Sequence, residues 1–117
     1  MEEFKPQNVA NTVWAYATLD VKDEELLCVA ARQAVWRMEE FNAQNVANTV
    51  WAYATLGKED QDLLRAAARQ AVWRIKEFTP QNVANTVWAY ATLGVKDEEL
   101  LWVTARQAVQ RLSLIHI

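Results

Sequence analysis

Apolar residues recur at three- and four-residue intervals in six separate runs, which predicts six amphipathic helices. In the first run Val9, Ala10, Val13, Trp14, Tyr16 and Ala17 project to one side of a helix, while Gln7, Asn8, Asn11, Thr12, Ala15 and Thr18 project to the other. In the second, Leu26, Leu27, Ala30, Ala31, Ala34, Val35 and Met38 gather inward and Glu25, Arg32 and Gln33 point out. Both runs then return twice. QNVANTVWAYATL stands at 7–19, 44–56 and 81–93, and DEELLCVAARQAVWRM at 23–38 is matched by DQDLLRAAARQAVWRI at 60–75 and DEELLWVTARQAVQRL at 97–112. Trp14, Trp51 and Trp88 are spaced by 37 residues without insertion or deletion. A period of that length, with two helical segments per unit, defines an α-solenoid, in which each repeat buries its apolar face against its neighbours. The expected fold is all-α: three helix-turn-helix repeats, about 4–40, 41–77 and 78–112, making six antiparallel helices.

Capping chemistry sets the expected boundaries. Lys5-Pro6 and Thr79-Pro80 place proline at a first helical position, where its missing N–H costs nothing, and Gly57 and Gly94 follow the closing leucine, where a left-handed cap suits glycine. The first helix of each pair is therefore expected over 6–19, 43–56 and 80–93. The second begins at Asp23, Asp60 and Asp97, acidic groups at the positive end of the helix dipole, and ends near Arg37, Arg74 and Arg111, giving 23–38, 60–75 and 97–112.

Composition narrows the function class. The 117 residues are 52% hydrophobic and 23% charged, with two Gly and two Pro, which suits a helical globular chain. The net charge of −3 lacks the bulk positive charge of many nucleic-acid binders. Cys28 is the one cysteine, so the chain holds neither an internal disulfide nor a cysteine-based zinc site. No apolar run reaches the length of a membrane span, and no signal-peptide pattern opens the chain. His116 is the one histidine, Cys28 has no histidine partner, and two glycines do not make a phosphate loop. No catalytic constellation, metal site, cofactor site or small-molecule substrate is expected. The acidic pairs Glu24-Glu25 and Glu98-Glu99 read as charges complementing helix N-termini.

The string FTPQNVANTVWAYATLG at 78–94, with its copies from Phe4 and Phe41, resembles the first helix of the heptatricopeptide and octotricopeptide repeats of organellar RNA-binding proteins in algae and protists. The resemblance covers nearly the whole chain and rests on the 37-residue length, the Phe-x-Pro-Gln opening and the Asn-x-x-Trp-Ala-Tyr-Ala core. It implies sequence-guided binding of single-stranded RNA during transcript processing or translation, in a chloroplast or mitochondrion.

In helical-hairpin solenoids the first helices line the concave side, which makes their polar stripe the leading binding candidate. Asn8, Asn45 and Asn82, with Asn11, Asn48 and Asn85, and with Thr12, Thr49 and Thr86, form rows one repeat apart. Amides both donate and accept, as base edges require. The alternative is that these side chains bond backbone groups and fix the repeat geometry. Because they do not vary among the three units, they would read every repeat alike. Arg32, Arg69 and Arg106 are candidate phosphate contacts. Trp14, Trp51 and Trp88 are expected to pack against neighbouring helices rather than stack on bases, and Trp36 and Trp73 to fill space between repeats. Cys28 shares its slot with Arg65 and Trp102 and reads as peripheral.

Both ends are expected to be cut rather than natural. Met1-Glu2-Glu3-Phe4 aligns with the internal Met38-Glu39-Glu40-Phe41, so the chain is expected to be a fragment. Leu112 to Ile117 reads Leu-Ser-Leu-Ile-His-Ile, which CTG-TCT-CTT-ATA-CAC-ATC encodes, the mosaic end of a transposase sequencing adaptor. Residues 113–117 are thus expected to be a non-native tail, with a genuine apolar cap as the alternative. Two function classes follow: an RNA-binding array, and a protein-interaction scaffold of the tetratricopeptide kind. A designed consensus array is a third source of near-identical units.

Overall fold

The computed structural model describes residues 4–113. Six helices follow in order: α1 (Pro6–Thr18), α2 (Glu24–Trp36), α3 (Ala43–Thr55), α4 (Gln61–Trp73), α5 (Pro80–Leu93) and α6 (Glu98–Ser113). No strand occurs among the described residues. The chain forms an elongated body of 51 × 28 × 23 Å, as expected of hairpins stacked in sequence. The adaptor-like segment lies outside the described residues from 114 on, while Ser113 continues α6.

Each α1-type helix starts on a capping arrangement in which asparagine at the third helical position is central. The Asn42 and Thr79 side chains accept from the backbone N–H of Asn45 and Asn82, at 2.7 and 3.0 Å. In return Asn45 and Asn82 accept through Oδ1 from the backbone N–H of Asn42 and Thr79, at 3.1 and 3.0 Å. Lys5 has no side-chain acceptor, so only the return bond forms in the first repeat, from its N–H to Asn8 Oδ1 at 3.0 Å. The α2-type helices are capped by Asp23, Asp60 and Asp97, each accepting at 2.9 Å from Leu26, Leu63 and Leu100. These aspartates precede the helices rather than opening them.

Past α3 and α5, Gly57 and Gly94 take φ of +68° and +71°. That conformation lets the next N–H reach back over the final turn, from Lys58 to the Tyr53 carbonyl at 2.8 Å and from Val95 to that of Tyr90 at 2.9 Å. Asp20 fills the same place after α1 at φ +57°.

The second helix of each early hairpin stops sooner than its apolar periodicity predicts. α2 and α4 end at Trp36 and Trp73, and 3-10 turns over Met38–Glu40 and Ile75–Glu77 carry the chain into the next repeat. Arg37 and Arg74 close these turns on Glu40 and Glu77, three residues on, at 2.8 and 3.2 Å. Phe41 and Phe78 then drop into the core, 0% and 1% exposed. Burying an aromatic of this size contributes on the order of 2–3 kcal/mol each.

Two layers result. Helices α1, α3 and α5 pack closely side by side, through Ala10, Ala47, Ala52 and Ala89, whose small side chains are fully buried. Helices α2, α4 and α6 stand farther apart. A stack tighter on one side curves toward it, so the α1, α3, α5 layer is concave. Repeats are tied by tyrosines. Tyr53 and Tyr90 are buried and donate to the carbonyls of Leu27 and Leu64 in the preceding hairpin, the former at 2.6 Å. Burial pushes both phenols above their ordinary range. Within a repeat, Gln70 donates to the Phe41 carbonyl at 2.8 Å, and Arg111 to that of Phe78 at 2.6 Å.

Candidate nucleic-acid interface

On the concave layer the open line of each helix runs at spacings of four, three and four residues, which return to one angular position on an α-helix. That line is Gln7, Asn11, Trp14 and Thr18 on α1, then Gln44, Asn48, Trp51 and Thr55 on α3, then Gln81, Asn85, Trp88 and Thr92 on α5. The three glutamines and three outer threonines are exposed, Asn11 is exposed, and Asn48 and Asn85 are half-buried. Gln81 donates to Asn85 across 3.1 Å. Between α1 and α3, Gln7, Asn11, Asn42, Gln44, Asn45 and Asn48 line a cleft of about 150 Å³ with almost wholly polar walls.

Aromatic rings lie beside these amides. Trp14 and Trp88 are 44% and 46% exposed, whereas Trp51 between them is partly covered. Trp14 and Trp51 meet at 6.4 Å between ring centres, tilted by 33°. The expectation that this tryptophan row is mainly packing holds for Trp51; the outer two expose nearly half their surface. Trp36 and Trp73 do not fill space between repeats. They are 86% and 84% exposed, because the buried side of their helices runs through Leu27, Ala31 and Ala34 and through Leu64, Ala68 and Ala71, well round the helix from them.

The nine sequence-selected residues separate into three kinds. Asn11, Asn48 and Asn85 stand on the open line. Asn8, Asn45 and Asn82 spend their side-chain oxygen on the helix cap, and Asn45 is 7% exposed. Thr12 and Thr86 donate to the carbonyls of Asn8 and Asn82 at 2.7 Å, four residues back, and Thr49 and Thr86 are buried at 1% and 0%. Burial takes the hydroxyls of Thr49 and Thr86 away from any ligand on the concave surface. The glutamine row was missed in sequence, although the 7, 11, 14, 18 spacing marks it as surely as the asparagines.

Arg32, Arg69 and Arg106 are exposed on the second layer, turned away from the concave helices. The Arg106 guanidinium sits 5.9 Å from the Trp102 ring centre. The structure therefore brings the amides and indoles together and leaves these arginines on the opposite side. Helices α1, α3 and α5 contain no charged residue, so the concave stripe is neutral. Among the described residues no cluster of histidine, cysteine and carboxylates is placed to hold a metal ion. No helix there is long and apolar enough to cross a membrane.

Fold and stripe together define a helical-repeat protein whose open face offers amides and aromatic rings rather than charge. The model of one protein family, described as RESC6, RNA-editing substrate-binding complex 6 protein, matches residues 1–116, and the chain belongs to that family. No curated protein was found to match the chain.

Proposed function

We propose that this chain is a binding module that holds single-stranded RNA along its concave stripe, within an assembly that handles RNA-editing substrates. The observation that carries the reading is the threefold repetition of Gln, Asn and Trp on one open, uncharged line. Amides can meet base edges with donors and acceptors, and indoles offer base-sized faces for stacking, which single strands expose and duplexes conceal. The family description, which names RNA editing and substrate binding, points the same way. The likeness to heptatricopeptide and octotricopeptide repeats supports an organellar setting, chloroplast or mitochondrion. The module acts by binding and positioning, without chemistry of its own.

Titration of fluorescently labelled single-stranded RNA, duplex RNA and single-stranded DNA against the chain tests this. Single strands should bind and quench the intrinsic emission of Trp14 and Trp88, while duplex RNA should not. Failure of every single strand to bind would remove the proposal. A second reading, a protein partner on the other layer, is favoured by Trp36, Trp73 and Trp102, at 86%, 84% and 66% exposure. The two readings use opposite faces and can hold together.

A further inference from the structure

The helix caps fix which way their amides face the polar cleft between α1 and α3. A backbone N–H can be met only by an acceptor, so Asn42 turns its Oδ1 to the Asn45 N–H, at 2.7 Å, and Asn45 turns its Oδ1 to the Asn42 N–H, at 3.1 Å. Both amino groups are left on the other branch. Asn42 and Asn45 line this cleft of about 150 Å³, and neither Nδ2 has a hydrogen-bond partner among the described residues. Asn45 is 7% exposed, so its amino group is a nearly buried donor that no bond within the chain takes up. Gln7, Asn11, Gln44 and Asn48 complete the walls, and their amides are not tied to the cap. The cleft therefore has one side that donates by necessity and one that can turn either way.

The cap is also where the concave helices differ. From Gln7, Gln44 and Gln81 to the closing threonine the three are identical, whereas the residues before them are Lys5, Asn42 and Thr79, all exposed. Thr79 takes the Asn82 N–H on its oxygen at 3.0 Å, and Lys5 carries an ammonium, so each cap residue offers a donor: ammonium, amide N–H or hydroxyl. We propose that this row selects the bases of the strand, favouring guanine and uracil, which carry an exocyclic oxygen, over adenine and cytosine, which carry an amino group in its place. The inference rests on the concave stripe being the RNA surface. A donor meets an acceptor at O6 or O4 and another donor at N6 or N4, so the sign of one group sets the preference. The invariant glutamine, asparagine and tryptophan hold every base alike, and the cap residue grades the selection from repeat to repeat.

Asn42→Asp tests this, because aspartate caps a helix as well as asparagine does and replaces the amino group by a second acceptor of the same shape. Affinities of the full chain for oligouridine and oligocytidine of equal length are compared by fluorescence anisotropy. The two bases match in size, so stacking largely cancels in the ratio, as does repulsion between the aspartate and phosphates. The unmodified chain should favour oligouridine, and Asn42→Asp should move the ratio toward oligocytidine by about tenfold, the scale of one base-edge contact. Asn42→Thr, which keeps both cap and donor, should retain the preference for oligouridine. If Asn42→Asp loses helical circular dichroism, Thr79→Asp makes the same exchange one repeat on, with the same shift expected. An unmodified chain that binds both oligomers equally, or a ratio that the aspartate variants leave unchanged, would overturn the proposal while the RNA reading stands. A chain that binds neither oligomer would overturn both.

Discussion

The Tyr53 hydroxyl donates at 2.6 Å to the Leu27 carbonyl, twenty-six residues earlier, so that one buried bond locks the second hairpin onto the first. Leu27 also accepts within its own helix, and removing the hydroxyl leaves no carbonyl wholly unpaired. Tyr53→Phe should therefore cost about 0.5–1.5 kcal/mol in urea denaturation, the usual net value of one such bond. Tyr16→Phe, at the exposed start of the array, should be near neutral. Equal losses at the two positions would mean that the inter-repeat bond is not what stabilises the stack.

The same tyrosines set an alkaline limit. Burial raises the folded-state pKa of Tyr53 and Tyr90 above the ordinary value near 10. Below that value both are protonated whether folded or unfolded, and the contribution to stability is fully present. Above it the unfolded chain releases protons that the folded chain retains, so stability falls as pH rises. The melting temperature should decline beyond about pH 10. The decline should be shallower in a Tyr53→Phe, Tyr90→Phe double variant, with each melting curve referenced to its own value at neutral pH.

Asp20 occupies the left-handed position that Gly57 and Gly94 fill in the other repeats. An L-residue with a side chain is strained there, although aspartate tolerates it better than most. Asp20→Gly should stabilise the chain by about 0.5–1 kcal/mol, read as a shift in the urea midpoint at constant slope. No gain would show that the aspartate side chain offsets the strain locally.

The contrast between neighbouring asparagines separates structure from binding. Asn45 accepts from the Asn42 N–H and is nearly buried, so Asn45→Ala should destabilise the chain by about 1 kcal/mol. Asn48, on the open line beside Gln44, should change stability by less than about 0.5 kcal/mol when truncated. Its loss should instead weaken single-stranded RNA binding by about 1–3 kcal/mol, as for other base-edge contacts. Reversed phenotypes would move the reading surface off this line.

Much of this could be read from the sequence, and what could not has local causes. Near-exact repetition and a 3.6-residue apolar period made six helices and their stacking legible, and the glycine positions marked two of the caps. The early ends of α2 and α4 were hidden, since the apolar pattern continues through Met38 and Ile75 while an ion pair three residues long tightens the turn. Asn8 and Asn11 look alike in sequence, and so do Thr12 and Thr18. Their roles diverge because a third-position asparagine reaches back to the cap, and because close helix packing covers Thr49 and Thr86 while leaving Thr55 and Thr92 open. The surface positions of Trp36 and Trp73 are not marked by residue type, because large apolar rings more often seek cover than stand open.

Salt dependence decides which layer carries RNA. A strand lying along the concave stripe meets no charged side chain of α1, α3 or α5, so its affinity should fall only shallowly as salt rises, with base stacking and amide contacts supplying most of the binding. Arg69 faces away on the second layer, and Arg69→Gln should leave both affinity and salt slope nearly unchanged. Each phosphate contact on a single strand contributes about 0.7 to the slope of log K against log salt. If Arg69→Gln lowers the slope by that much, while Trp88→Ala and Asn48→Ala leave binding intact, the RNA runs over the arginine-bearing layer. The concave stripe would then serve the protein partner instead.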